Sequence, residues 1–175
     1  MDRSARLEKL LPNGRGVWIP IDHGASDFPV EGLVDTESTI KALISAGVDV
    51  ILAQKGVVSH YSHLCQGTKT NMVVHLSVST RHAGPDCANK VLVGHPDEVI
   101  SRGGLGVSCQ VNIGSANEAE MIERMGEVSR QSHKLQLPMF GMIYARGEFL
   151  NIMEGDSTLG NAHAARLAFE LGCDA

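Results

Sequence analysis

Five short apolar runs in this sequence each end in side chains that can bind a substrate or move a proton. In chain order these are Asp22 with His23, Gln54 with Lys55, His75 with Ser77, Asn112 with Ser115, and Tyr144 with Arg146. Carboxylates, imidazoles and phenols transfer protons, and lysine and arginine hold anions. Their repeated position after apolar runs predicts one site that is built from several strand ends.

Asp22 and Lys55 each fit more than one role. A carboxylate in the position of Asp22 can orient a substrate hydroxyl or relay a proton, and it can equally well cap the next loop with His23 packed beside it. Lys55 can attack a carbonyl, hold a phosphate or carboxylate as a point charge, or remain an exposed loop residue. The residues alone leave these alternatives open.

Tyr144 and Arg146 form a second pair of chemically active groups. The phenol can donate or accept a proton, and the guanidinium two residues further on can clamp an anion. The alternative is a tyrosine that only completes the protein core. Residues 112–115 can also form a turn that offers backbone N–H groups to an anion, which is a weak signal by itself.

Metal binding has little support. Of the eight histidines, His60 and His63 are spaced to share one face of a helix, but the sequence defines no third ligand near them. The four cysteines match no zinc-binding spacing and are expected to be reduced, mostly buried thiols. We therefore expect neither a metal nor a cofactor.

Composition narrows the class of protein. The chain has 175 residues, of which 43% are hydrophobic and 19 are glycine, which is typical of one α/β domain with many turns. A net charge of −5 without a basic run argues against a nucleic-acid partner. The N-terminus is unlike a signal peptide, and no apolar run approaches a membrane span. We expect a cytoplasmic protein with no membrane partner.

Predicted strands and helices alternate along the chain. Strands are expected at residues 17–21, 48–53, 72–76, 107–113 and 137–143, with a possible extra strand at 90–93. Helices are expected at 35–46, capped by Asp35, at 96–102, opened by Pro96, at 117–135, capped by Asn117, and at 159–171. Gly172 then ends the last helix, and residues 173–175 read as the entry to a further strand.

Alternation at intervals of about 30 residues predicts parallel βαβ units, in a (β/α)8 barrel or in a doubly wound open sheet. The absence of a Gly-x-Gly-x-x-Gly motif after the first strand disfavours a dinucleotide-binding sheet. Polar groups after five successive strands favour the α/β TIM barrel, whose strand ends meet at one mouth. Because a chain seldom ends at a strand entry, we expect residues 1–175 to be a single truncated barrel domain with about five strands of eight.

Seven ordered segments carry a family resemblance. They are Pro20-Ile21-Asp22-His23-Gly24, Pro29-Val30-Glu31-Gly32-Leu33-Val34-Asp35, Gln54-Lys55-Gly56-Val57-Val58, His75-Leu76-Ser77, Val111-Asn112-Ile113-Gly114-Ser115, Met142-Ile143-Tyr144-Ala145-Arg146-Gly147, and Ala162-His163-Ala164-Ala165-Arg166-Leu167 continuing through Glu170-Leu171-Gly172. From about Gly16 onwards the chain resembles the archaeal-type class I aldolases. This family includes fructose-bisphosphate aldolase of that type and 2-amino-3,7-dideoxy-D-threo-hept-6-ulosonate synthase.

The resemblance implies a (β/α)8 barrel and Schiff-base aldol chemistry without a metal, on a ketose phosphate. It makes Asp22 and Tyr144 the catalytic pair, and we assign substrate binding to His23, Lys55, His75, Asn112 and Arg146. The segments look closer to the heptulosonate synthase branch, which serves aromatic amino-acid biosynthesis, than to the bisphosphate aldolase. Relatives of this kind are oligomers, so we expect a homo-oligomer.

Two departures from the family pattern matter. Ala145 stands where the family motif Tyr-Pro-Arg-Gly has proline, which is expected to loosen the loop that aims Arg146. The Schiff-base lysine of the family falls on the sixth strand, beyond Ala175. The alternatives to a heptulosonate synthase are therefore a bisphosphate aldolase or a catalytically inactive half-barrel that binds a partner or assembles with copies of itself. A role for Lys55 as the nucleophile is a further alternative.

Overall fold

The computed structural model describes residues 1–150 and 157–175. Its strands are β1 (Trp18–Pro20), β2 (Val50–Gln54), β3 (Asn71–His75), β4 (Ser77–Val78), β5 (Val91–Leu92), β6 (Gly106–Ile113) and β7 (Met139–Ala145). Its α-helices are α1 (Arg3–Leu10), α2 (Thr36–Ser45), α3 (Lys55–Tyr61), α4 (Glu118–Lys134) and α5 (Ser157–Glu170). Five strands form a parallel sheet in the order β1-β2-β3-β6-β7, and β4 pairs with β5 in an antiparallel ribbon.

Side chains of each strand alternate between two faces of the sheet, as the pleat requires. In β6, Val107, Cys109 and Val111 pack into the core between sheet and helices. Ser108 and Asn112 lie on the opposite face, which is the inner face of the curved sheet. Because all eight residues of β6 are buried, the polar side chains on the inner face need hydrogen-bond partners within the protein.

The outer face of the sheet is covered by helices. Met121, Met125 and Val128 of α4 and Ile40 of α2 are buried in this core. Each such side chain contributes about 1.5–3 kcal/mol through removal of its apolar surface from water. The helices thereby fix the strands whose ends carry the candidate site.

The inner face is apolar at its N-terminal end. Leu10 of α1 packs there against Phe140, and Trp18 meets the Phe140 ring edge-on with the ring centroids 4.4 Å apart. Val50, Leu52 and Val73 complete this small core. Helix α1 thus covers the N-terminal end of the inner face. The polar C-terminal ends of the strands stay open, so a ligand can bind there.

The structure confirms the five predicted strands of the sheet and most helices, with small shifts at their ends. The extra strand expected at 90–93 is β5. Helices α1 and α3 were not predicted. Helix α3 begins directly after β2 at Lys55, so this lysine does not lie in a loop. A 3-10 helix, Pro96–Glu98, replaces the longer helix expected there. Asn117 occupies the N-cap position of α4, but its side chain makes no capping hydrogen bond.

Residues after α5 run beside the edge strand β7. Gly172 has a φ of +84°, which ends the helix as predicted. The Asp174 N–H donates to the Met139 carbonyl at 2.7 Å, and the Gly141 N–H donates to the Ala175 carbonyl at 2.8 Å. The parallel half-barrel sheet with its outer helices confirms the predicted barrel class. Within the described residues, no helix combines the length and apolar character needed to cross a membrane.

Candidate active site

The C-terminal ends of β1, β6 and β7 surround a cavity of about 300 Å³. Its lining includes Asp22, His23, Lys90, Gln110, Tyr144 and Arg146. The structure therefore brings together four of the seven residues predicted for the site, which are Asp22, His23, Tyr144 and Arg146. His75 is buried just behind Asp22, whereas Asn112 and Lys55 do not line the cavity.

Asp22 reaches the cavity because β1 ends before it. The Ile21 N–H still pairs with the Leu52 carbonyl at 2.8 Å, and a 3-10 turn, Asp22–Ala25, begins at the next residue. The Asp22 carboxylate is 16% exposed, and its Oδ2 lies 3.8 Å from Nε2 of His75. His23 points to the rim and is largely exposed. Asp22 thus presents a partly exposed carboxylate to the cavity, where it can exchange a proton with a bound ligand.

His75 is a buried, neutral imidazole. Its Nδ1 lies 2.5 Å from Oγ of Ser108 and its Nε2 lies 3.2 Å from Oγ of Ser77. Burial lowers the pKa of His75 to about 4, with Asp22 opposing the shift and Lys90 adding to it. The ring is therefore not a cation at neutral pH, and it lies behind Asp22 with its two nitrogens turned to Ser108 and Ser77.

Asn112 organises the site without reaching the cavity. Its Oδ1 accepts a hydrogen bond from Nε of Arg146 at 3.0 Å and another from Nε2 of Gln110 at 2.9 Å. Its Nδ2 donates to the Ala88 carbonyl at 2.7 Å. With these polar atoms already paired and the side chain buried, Asn112 acts on a ligand only through Arg146 and the 88–90 segment.

Tyr144 and Arg146 are held as a stacked pair. The guanidinium carbon of Arg146 lies 4.4 Å from the centroid of the Tyr144 ring. The N–H groups of Arg146 and Gly147 both donate to the Ile113 carbonyl, and Gly147 packs so closely on Gly114 that a Cβ there would overlap the Gly114 backbone. These contacts hold the loop after β7 against the end of β6, and a looser loop due to Ala145 stays a prediction.

Lys55 faces away from the cavity. Its Nζ lies 3.3 Å and 3.4 Å from the two carboxylate oxygens of Glu98, which also pairs with Arg102 at 2.5 Å. The ion pairs with Glu98 give Lys55 a structural role that involves no ligand. The turn at 112–115 is likewise not free for an anion, because the Gly114 N–H already donates to the Glu118 carboxylate.

Lys90, Gln110 and Asp27 line the cavity without having been predicted, and Lys90 is the cation among them. It lies immediately before β5 and lines the cavity. Burial, and then the charge of Arg146, lower the pKa of the Lys90 ammonium, while Asp22 and Cys87 oppose the shift. The position of Lys90 at the start of the predicted extra strand was the only sequence signal for a site residue here. The path of the 79–90 segment is what brings Lys90 to the cavity.

Metal ligands do not cluster in the part of the chain that the structure describes, where no group of three or more His, Cys, Asp or Glu side chains is placed to hold an ion. The His60 ring instead meets Tyr61 edge-on, with centroids 4.6 Å apart. The four cysteines are free thiols, of which Cys109 is buried, Cys65 and Cys173 are partly buried against the core, and Cys87 is exposed, in keeping with the expectation of mostly buried thiols.

Comparison with known proteins identifies relatives along the whole chain. The DeoC/LacD family of aldolases matches residues 17–175. The chain is 35% identical over 173 residues to the 2-amino-3,7-dideoxy-D-threo-hept-6-ulosonate synthase of Halobacterium salinarum, covering 98% of this chain and 63% of that protein. It is 33% identical over 174 residues to the 2-amino-4,5-dihydroxy-6-oxo-7-(phosphonooxy)heptanoate synthase of Streptomyces griseus, covering 98% and 62%. The chain spans less than two thirds of the length of these relatives.

A solved structure shares the fold. An archaeal fructose-1,6-bisphosphate aldolase, with its catalytic lysine covalently bound to the carbinolamine intermediate of its substrate, superposes with a TM-score of 0.81 at 22% identity. The match covers 99% of this chain and 68% of that one. At 22% identity, this similarity establishes the fold of the present chain as part of a barrel of the same type.

Proposed function

The chain belongs to the DeoC/LacD family of aldolases, and from this membership we propose that the complete protein makes or breaks a carbon–carbon bond of a ketose phosphate through a Schiff base. The observation that carries the proposal is the cavity at the strand ends. Asp22 from one edge of the sheet and Tyr144 with Arg146 from the other edge line the same space. A proton acceptor, a proton donor and an anion-binding group therefore face one ligand.

In the proposed reaction, a lysine from the sixth strand of the family barrel condenses with the ketone of the donor and releases water. The resulting iminium withdraws electrons, so the adjacent carbon loses a proton or a carbon substituent and an enamine forms. Tyr144 exchanges the proton at that carbon. When the carbon–carbon bond breaks, Asp22 accepts the proton of the hydroxyl on the carbon that leaves as an aldehyde. Arg146 holds the Tyr144 ring in position and contributes positive charge to the cavity.

The heptulosonate type of substrate has the stronger support. The two synthases named above make seven-carbon products with a carboxylate, a 2-amino group and a ketone at carbon 6. Reversing an aldol addition in such a product breaks the bond between carbons 4 and 5. The fragments are a four-carbon 2-amino-4-oxo acid and a three-carbon ketone. We propose this chemistry for the present protein, with bisphosphate cleavage by an archaeal-type aldolase as the alternative.

Borohydride trapping tests the proposed chemistry. The complete gene product is incubated with dihydroxyacetone phosphate, hydroxyacetone or fructose 1,6-bisphosphate, reduced, and analysed by mass spectrometry. We expect a stable adduct on one lysine with at least one of these ketones. No adduct with any of them would refute the Schiff-base proposal and favour the inactive binding half-barrel. An adduct on Lys55 would instead make that residue the nucleophile, against its ion pair with Glu98.

Tyr144→Phe tests the acid-base role in the same protein. We expect turnover to fall by about 10²–10⁴-fold, the usual effect of losing a positioned acid-base group, while the borohydride adduct still forms. Tyr61→Phe is the matched control, because Tyr61 lies on α3 against His60 and away from the cavity. Unchanged turnover in Tyr144→Phe would remove this tyrosine from the mechanism.

We also propose that the complete protein is a homo-oligomer. Helix α5 exposes two large apolar side chains, Leu159 and Phe169, which are 56% and 73% exposed. Exposed apolar surface of this kind favours self-association. Sedimentation velocity on the complete gene product should give a species larger than the monomer, and Phe169→Glu should shift it towards the monomer. A monomeric wild-type protein at micromolar concentration would refute this proposal.

A further inference from the structure

Lys90 lies in the candidate active site although the acid-base chemistry proposed above does not need it. It joins the cavity lining from the 79–90 segment, whereas Asp22 and Tyr144 come from the sheet itself. Among the described residues, no carboxylate oxygen lies within 4.0 Å of the side-chain nitrogens of Lys90 or Arg146. In the described part of the chain, these two cations thus border the cavity with no carboxylate paired directly to either, while the charge of Asp22 acts on Lys90 at longer range.

The backbone of Lys90 is fixed from two sides. Arg124 of α4 donates to the Lys90 carbonyl at 3.1 Å and to Oδ1 of Asn89 at 2.5 Å. On the other side, Asn112 of β6 donates to the Ala88 carbonyl and accepts from Arg146. One buried amide thus holds the Arg146 side chain and the backbone just before Lys90, so the segment that carries Lys90 is fixed at the cavity.

The cavity also contains negative charge. Asp22 and Asp27 are part of its lining, and Asp27 pairs with Arg81 at the outer rim. Because Arg81 already balances Asp27, the lining presents two cations and the Asp22 carboxylate. Charges of both signs are complementary to a zwitterion and less so to a phosphate, which carries negative charge alone. The four-carbon fragment derived above is such a zwitterion, since it has a 2-amino group beside a carboxylate.

We propose that Lys90, together with Arg146, binds the carboxylate of an α-amino-acid aldehyde and thereby selects the substrate that accepts the three-carbon unit. This inference rests on the proposed aldol function and specifies its second substrate. Arg146 offers the planar guanidinium that matches a carboxylate. Lys90 adds a second positive charge, with which no described carboxylate forms an ion pair. Lys90 is accordingly a specificity-determining residue and takes no part in proton transfer at the reacting carbons.

Three acceptors distinguish the possible roles of Lys90 in the complete gene product. They are 2-amino-4-oxobutanoate, 3-aminopropanal, which lacks only the carboxylate, and glyceraldehyde 3-phosphate. In Lys90→Met we expect the KM for 2-amino-4-oxobutanoate to rise about 10- to 100-fold, as for loss of a charged hydrogen bond, with kcat within about threefold. The KM for 3-aminopropanal should not change, and Lys90→Arg should restore most of the affinity for the amino acid.

Lys41→Met is the control variant, because Lys41 lies on α2 and pairs with Glu37 outside the cavity. Circular dichroism melting confirms that each variant is folded. Equal losses for all three acceptors, a loss for glyceraldehyde 3-phosphate alone, or no loss at all would overturn the proposal.

A second measurement keeps this inference separate from the aldol function. Binding of 2-aminobutanoate, which has no aldehyde and forms no product, is followed by calorimetry. Wild-type protein should bind it more tightly than it binds propylamine, and Lys90→Met should remove the difference. If borohydride trapping fails but this preference is present, the aldol proposal is refuted and the carboxylate site stands. If trapping succeeds and the preference is absent, only the carboxylate site is refuted.

Discussion

Acid should destabilise the fold through the buried His75. The pKa of this buried imidazole falls from its ordinary 6.5 to about 4. Because the unfolded chain takes up the proton first, unfolding becomes easier as the pH falls from 6.5 to 4, and the stability is fully present above pH 6.5. With about 1.36 kcal/mol for each tenfold change in proton affinity, the fall of the pKa from 6.5 to about 4 costs about 3 kcal/mol at pH 4.

The difference between wild type and His75→Gln isolates this effect. Glutamine can bond Ser77 and Ser108 but does not titrate, so the stability difference should shrink by about 3 kcal/mol between pH 7 and pH 4. Urea unfolding can be followed through Trp18, the single tryptophan, which packs on Phe140. Protein concentration is matched throughout.

His82→Gln is the control for this experiment, because His82 is exposed. Its stability relative to wild type should stay constant over the same pH range. A wild-type curve that parallels that of His75→Gln from pH 7 to pH 4 would refute the reasoning, since it would mean that His75 binds its proton equally well in the folded and unfolded chains.

Further predictions concern residues around the cavity. Asn112→Ala should lower the free energy of unfolding by about 1–3 kcal/mol in urea titrations, because it leaves buried partners unpaired, and it should raise KM more than it lowers kcat as Arg146 is released. Gly147→Ala should lower the melting temperature and turnover together, because its Cβ overlaps the backbone of Gly114; a variant that melts like wild type would contradict this packing. Lys55→Met should leave kcat/KM of the complete protein within about threefold, and a loss of about 100-fold would place Lys55 at the substrate after all.

The barrel class was predictable because local patterns and tertiary packing agree. Asp35 caps α2 through a 3.0 Å hydrogen bond from the Ser38 N–H, and a continuous apolar run forms the buried strand β2. Parallel strands place their C-terminal ends at one edge, so the meeting of Asp22 and Tyr144 in one cavity followed from topology alone. These features depend on the order of elements and not on the details of side-chain packing.

The unpredicted parts of the site depend on the direction of single side chains and on the path of one loop. Lys55 follows a strand as predicted, but α3 begins there and turns its side chain towards Glu98. Lys90 reaches the cavity only because β5 folds back onto β4, a long-range pairing that residue types do not specify. The alternation of Ser108 and Asn112 within the apolar strand β6 was a signal for polar groups on the inner face, and it is the pattern that would have revealed how Asn112 serves the site.

Proton exchange at the donor carbon tests the central claim most directly. The complete gene product is incubated in deuterated water with whichever ketone gives a borohydride adduct, and deuterium in the recovered ketone is measured by mass spectrometry. Wild type and Tyr61→Phe should exchange the proton next to the carbonyl, whereas Tyr144→Phe should exchange about 10²–10⁴-fold more slowly while still forming the adduct. Exchange by Tyr144→Phe at the wild-type rate would contradict the assignment of proton transfer to the cavity that Tyr144 and Asp22 line.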